Sequence, residues 1–234
     1  MRRTVEPELL DDLPPADPRA VRSRADLRRL NFMMGHARIL SRAFCRHRAD
    51  TFSRSKPIRL IELGAGDGTL LLELARRWSA RGVTAQVTLL DRQNLVSTET
   101  HRAFAALNWS VEIVASEVIA WLGQPFPAAD VMLANLFLHH FQDKPLRALL
   151  ERAAARTKLF VACEPRRSPL ALNASRWLWL MGCNPVTRHD AVVSVRAGFL
   201  GNELSALWPA DARWESHEHA AGFFSHCFVA NSNA

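Results

Sequence analysis

Residues 58–74 read Ile-Arg-Leu-Ile-Glu-Leu-Gly-Ala-Gly-Asp-Gly-Thr-Leu-Leu-Leu-Glu-Leu, an apolar run that meets three glycines and continues as a helical pattern. Glycine accepts a tight turn and lets the backbone approach a ligand closely. The spacing is GxGxG over Gly64, Gly66 and Gly68, with Ala65 and Asp67 between them and Glu62 in front. Dinucleotide sites favour GxGxxG, where a helix N-terminus faces a pyrophosphate. Two carboxylates beside a phosphate would repel it, whereas beside a ligand with an amino group and a sulfonium they would attract it. The electrostatics therefore favour S-adenosylmethionine over a nicotinamide dinucleotide. Farther on, His189 beside Asp190 could be an oriented base or a substrate anchor, or Asp190 could cap a helix over Ala191–Val195. Glu164 ends an apolar run and is a candidate site-lining acid.

These groups need a scaffold, and the pattern around them supplies one. From Ile58 short apolar runs alternate with helical segments, the signature of βαβ units and a parallel sheet. Strands are expected at 58–63, 86–91, 110–114, 130–135 and 158–164, and helices at 68–81, 98–107, 118–123 and 144–156. The fold class is therefore α/β, doubly wound and Rossmann-like, with ligands at the carboxyl ends of the strands. Residues 1–18 read as a Pro-rich arm, and Pro18 opens one or two amphipathic helices up to about Arg48, broken near Gly35. Ser53–Pro57 reads as a linker. Arg176–Met181 reads as part of an apolar helix, Arg196–Leu207 as another, and 214–219 with 222–230 as a closing antiparallel pair. The expected organisation is an arm and helical lid over 1–54 and a cofactor-binding domain over 55–234, with 167–200 as a substrate-facing insertion.

The glycine segment resembles the first motif of the class I S-adenosylmethionine-dependent methyltransferases, and the later strands keep step over about residues 56–165. The resemblance implies a seven-stranded, mainly parallel sheet and S-adenosylmethionine as cofactor. It implies that Asp91, followed by Arg92, meets the ribose hydroxyls, that Ser116 and Glu117 lie near the adenine, and that Asn135 faces the methionine part. Leu138-His139-His140-Phe141-Gln142-Asp143 resembles a stretch of the phenolic O-methyltransferases in which a histidine is the general base, and His139 is the matching position. A phenol with a pKa of about 10 is a poor nucleophile at neutral pH, and an imidazole near 6.5 can take its proton as the new bond forms. His140 and His189 are the next candidates; His217, His219 and His226 are expected on the closing strands without chemistry.

Composition narrows the partners. The 234 residues carry a formal charge of +7, almost all of it arginine, which would suit a polyanion or simply a solvated helix face. Base N-methyltransferases place an Asn/Asp-Pro-Pro-Tyr/Phe tetrad after the fourth strand; Asn135-Leu-Phe-Leu lacks both prolines, and the chain contains no tyrosine. An RNA methyltransferase and a non-catalytic partner subunit stay as the alternatives to a small-molecule enzyme. The four cysteines, Cys45, Cys163, Cys183 and Cys227, have no zinc spacing, and no metal is expected. No signal peptide or spanning segment is evident, so a cytoplasmic enzyme is expected. The stretch Leu170–Cys183, with Trp177 and Trp179, reads as core or lid, as a wall for a hydrophobic acceptor, or as a contact with a membrane interface.

Overall fold

The structure, a computed structural model, describes residues 1–51 and 56–233. Of the expected linker, Ser53, Arg54 and Ser55 lie outside the described residues. The parallel strands are β1 (Ile58–Leu63), β2 (Ala85–Asp91), β3 (Ser110–Ala115), β4 (Ala129–Asn135) and β5 (Thr157–Pro165), each within one residue of its expected bounds. β6 (Trp214–Ala221) and β7 (Ser225–Ser232) complete a seven-stranded sheet in the order β3-β2-β1-β4-β5-β7-β6, with β7 antiparallel to β5. The order reverses between β1 and β4, which opens a crevice at the carboxyl ends of those strands.

Helices cover both faces, so the central strands are apolar on both sides. On one face Leu60, Leu89, Leu133 and Val161 pack with Leu40 and Phe44 of α3 (His36–Thr51) and with Leu71 and Trp78 of α4 (Thr69–Ser79). On the other, Ile61, Leu90, Met132 and Phe160 meet Leu122 of α6 (Val118–Leu122) and Leu146 and Leu150 of α7 (Asp143–Ala154). α5 (Thr98–Ala106), capped by the Ser97 side chain, contributes Phe104 to the first core.

The N-terminal region follows its signals. A four-residue helix, α1 (Leu9–Asp12), precedes α2 (Pro18–Met34), whose first turn has Pro18 and the Asp17 side chain as cap. Gly35 takes a left-handed φ of +71° and separates α2 from α3.

The last third departs from expectation. α8 (Pro169–Arg176) stops before the tryptophans, and Leu178–Met181 forms a 3-10 turn instead of continuing an apolar helix. Next comes α9 (Pro185–Ala197), capped by Asn184, so Asp190 lies inside this helix and does not start one at Ala191. The helix expected over 196–207 does not form beyond Ala197, where α9 ends. A Cβ on Gly198 would sit 2.3 Å from the carbonyl oxygen of Pro165, and Phe199 N–H donates to that oxygen at 2.9 Å. This pinning to the end of β5 forces the chain to turn. The closing antiparallel pair is present as β6 and β7.

Candidate active site

The glycine turn leaves β1 with Gly64, Gly66 and Gly68 all at positive φ (+69°, +56° and +72°), a conformation that other residues adopt at a cost. Asp91 at the end of β2 fastens it: Gly66 N–H donates to Asp91 Oδ2 at 2.9 Å and Gln93 N–H to Asp91 Oδ1 at 3.0 Å. Asp67 accepts from Thr69 N–H at 3.1 Å and pairs with Arg28 of α2 at 2.6 Å.

Beneath the turn, Glu62 is buried and its Oε2 has no hydrogen-bond partner. Burial, reinforced by the charges of Asp67 and Asp91, pushes its carboxyl well above the usual range. Asn135, on the neighbouring strand and the same face, faces the His36 ring and leaves Oδ1 without a well-formed hydrogen bond. His36 at the start of α3 bonds through Nε2 to Ser225 Oγ at 3.0 Å, and its Nδ1 is also unpartnered. Burial lowers the imidazole to about 4. Unsatisfied buried acceptors are costly. Glu62 and Asn135 thus present acceptor atoms suited to the ammonium of an aminoacyl ligand, and the residues fit S-adenosylmethionine.

A cleft of about 590 Å³ is lined by Gly64, Gly66, Asp91, Arg92, Ser116 and Glu117, and also by His139, His140 and Ser194. Its size is typical of small-molecule sites. Of the residues anticipated for the cofactor, those six line the cleft, whereas Glu62 and Ala65, both buried, and Asp67 and Asn135 are outside its lining. A second groove, of about 540 Å³, has Thr88, Glu112 and Phe126 in its wall and none of these groups.

The second constellation hangs from Glu164, wholly buried near the end of β5. Leu136, at a left-handed φ of +49°, turns the chain after β4. The backbone N–H groups of Phe137, Leu138 and His139 then converge on the Glu164 carboxylate at 3.1, 2.9 and 3.4 Å. His139 Nδ1 lies 2.8 Å from Glu164 Oε2, and His139 Nε2 lies 3.2 Å from Oε1 of Glu8. Burial alone would lower this imidazole. The hydrogen bonds and negative charges of Glu164 and Glu8 outweigh that effect and raise it to about 9. Both carboxylates are held below their usual range because the same bonds outweigh their own burial.

Glu8 was not anticipated from sequence. It belongs to an N-terminal arm laid over the cleft. Arg3 donates to the carbonyl oxygens of Phe141 at 2.7 Å and Ala197 at 2.8 Å and pairs with Asp143 at 2.9 Å. Asp190 accepts the N–H groups of Leu9 and Leu10 at 2.8 and 3.0 Å. It caps a helix after all, but α1 and not its own. Ser194 donates to Glu8, and Asp11 pairs with Arg92 at 3.2 Å and with His140 at 3.4 Å. His140 thus joins His139 at the cleft, their ring centroids 4.3 Å apart. His189 does not join them: its ring bonds to Asp190 at 2.9 Å and is half exposed outside the cleft lining. Arg24 and Leu27 of α2, also unanticipated, wall the cleft beside the glycine turn. His217 and His219 lie on β6 and His226 on β7, away from the cleft.

Comparisons with known proteins agree with this geometry. Residues 35–197 match the methyltransferase domain family. No curated protein sequence matches the chain. Among solved structures, the plantazolicin methyltransferase BpumL in complex with SAH aligns with a TM-score of 0.67 at 12% identity, over 93% of this chain and 92% of that one. An O-methyltransferase family protein from Burkholderia thailandensis aligns with a TM-score of 0.60 at 18% identity, over 94% of this chain and 61% of that one. Magnesium protoporphyrin IX methyltransferase (ChlM) from Synechocystis PCC 6803, with bound SAH, aligns with a TM-score of 0.54 at 15% identity, over 85% of this chain and 84% of that one. At such identities the likeness is one of fold. Together with the family match and the glycine turn, it identifies this chain as a member of the methyltransferase domain family, a class I methyltransferase that uses S-adenosylmethionine.

Proposed function

We propose that the chain O-methylates a hydrophobic, hydroxyl-bearing aromatic small molecule of the phenol or quinol type, with His139 as the general base. The observation that carries this reading is His139 itself, buried at the cleft with Nδ1 on Glu164 and Nε2 turned toward Glu8. A carboxylate behind one nitrogen fixes the ring and stabilises the imidazolium that forms at the other.

When bound, S-adenosylmethionine supplies a methyl carbon on a sulfonium: the acceptor oxygen bonds to that carbon, and the electron pair of the broken C–S bond stays on sulfur. Glu62 and Asn135 hold the amino end, and Asp91 the ribose. Ser116 and Glu117 line the adenine end. The acceptor hydroxyl takes the place of the Glu8 carboxylate at Nε2. Removing that negative charge lowers the His139 pKa, so that the imidazole gives up its extra proton and can accept the hydroxyl proton. The arm and α2 act as the lid, and Ser194 of α9 reaches the cleft from the 167–200 segment. His140 positions the acceptor beside His139. Glu6, Glu8, Asp11 and Glu117 line the same cleft, and their charges would repel a phosphate backbone, which speaks for a small molecule and against RNA.

The test is incubation with a methyl-labelled donor and a panel of phenols, quinols, arylamines and RNA. Label on the oxygen of a phenol or quinol is expected. Label only on nitrogen or on RNA overturns the reading.

A further inference from the structure

We propose that the rim formed by the α2–α3 corner, the Trp177–Leu180 segment and the β6–β7 turn docks on the surface of an anionic lipid bilayer. Phe32, Met33, Trp177, Trp179, Leu180 and Phe223 each expose more than half of their surface. Single exposed apolar residues need no explanation, but several on neighbouring, tied segments mark an interaction surface.

Two hydrogen bonds bring the three segments together. Arg29 Nη2 donates to the carbonyl oxygen of Met181 at 2.6 Å, fastening the end of the tryptophan turn one helical turn from Phe32 and Met33. His36 Nε2 meets Ser225 Oγ at 3.0 Å, which ties the α2–α3 corner to the turn bearing Phe223. The apolar side chains thus protrude from a helix corner, a 3-10 turn and a hairpin tip. They form points around a rim that can insert between lipid headgroups.

Charge names the occupant. Between Pro18 and Arg48 the only acid is Asp26, and between Pro165 and His189 there is none. Asp26 is buried, where it accepts from Asn184 N–H at 2.8 Å and pairs with Arg29 at 3.3 Å. Arg22, Arg176 and Arg188 are exposed and, among the described residues, have no ion-pair partner. Tryptophan and phenylalanine beside unpaired arginine, with no exposed acid in the α2–α3 corner or the tryptophan segment, match the headgroup region of an anionic membrane. No helix among the described residues is long and apolar enough to cross a membrane, so the contact is peripheral. The opposite side of α2 carries Arg24 and Leu27 into the cleft, which sets the docked rim beside the catalytic cleft. The inference deepens the reading of a hydrophobic acceptor: it names the lipid surface as the acceptor's source and rests on that reading for this point alone.

The test is co-sedimentation of the full chain with vesicles of phosphatidylcholine alone or mixed in equal parts with phosphatidylglycerol, alongside SAH titration of every variant. Binding to the mixed vesicles is expected, weak on neutral ones and reduced by salt. Replacing Trp177 and Trp179 by serine, or Arg22 and Arg176 by alanine, should reduce it roughly tenfold or more with SAH affinity unchanged. Absence of binding to mixed vesicles overturns the proposal, as does equal binding by the variants. A dimer that dissolves when the tryptophans are replaced also overturns it, since a second copy is then the occupant. SAH binding persists in each of these cases, so failure here leaves the catalytic reading standing.

Discussion

Glu8 Oε1 lies 3.2 Å from Nε2 of His139, 131 residues away in sequence, on the side of the ring opposite Glu164. The imidazole is therefore held as a cation by two carboxylates, at about 9. Its proton stays below that pH and leaves above it, so the arm-closed site has no free base at neutral pH. The folded pKa is raised from 6.5, so the stabilisation these contacts give is complete below that value and fades as pH rises through about 9. Glu8→Gln removes one of the two charges from the free enzyme, and the inflection of the kcat/KM–pH profile should move to lower pH while SAH affinity stays constant. An unmoved inflection would show that Glu8 has no part in setting the charge on His139.

Glu164 accepts three backbone N–H groups and the His139 ring from a fully buried position. Breaking a buried charged pair costs about 3–5 kcal/mol. Glu164→Ala should therefore lower Tm by at least about 6 °C for a chain of this size. Differential scanning calorimetry measures this, and Glu164→Gln, which preserves shape, should lose less stability but still lose the raised His139 pKa by NMR titration.

A Cβ on Gly64 would lie 2.2 Å from Phe137 Cδ2, and the residue sits at a φ of +69°. Gly64→Ala must displace the Phe137 ring, which borders both the glycine turn and the Glu164 network. We expect SAH binding to weaken at least about tenfold, from strain of roughly 1–2 kcal/mol and the shifted ring. Gly66, whose Cβ meets nothing within 4 Å, is the control. There alanine brings backbone strain without displacing Phe137, and its loss of thermal stability should be smaller than that of Gly64→Ala.

Glu62 supplies a pH test of the cofactor site. Its carboxyl is raised by burial and by Asp67 and Asp91. It therefore favours the empty fold below its ordinary value of 4.5, an effect lost as pH rises toward the raised value. A bound ammonium favours the ionised form, so SAH binding should release a proton and tighten with rising pH. Calorimetry in buffers of different ionisation enthalpy reads this, and Glu62→Gln should abolish the proton release. Equal proton release by that variant would place the coupling elsewhere.

Local patterns made much of this legible in the sequence. Apolar runs separated by helical periods mark β1 to β5 within one residue, and the glycine spacing with Glu62 and Asp67 marks the cofactor turn. Gly35 and Pro18 announce the ends of α2. The rest depends on contacts between distant segments. Asp190 resembles a local cap, yet its partners are Leu9 and Leu10, 181 and 180 residues away. Glu8 and Asp11 look like ordinary acids of a Pro-rich arm until the fold brings them to His139 and His140. The Trp177–Met181 stretch carries helical periodicity, but Gly182 and Asn184 end and restart the chain around a short exposed turn.

The catalytic assignment of His139 is tested most directly by steady-state kinetics of His139→Ala with an accepted phenol or quinol, alongside SAH titration of the same variant. The account predicts a kcat at least about 100-fold below wild type, with the SAH Kd unchanged. Turnover equal to wild type, or turnover and SAH affinity falling together, would contradict it.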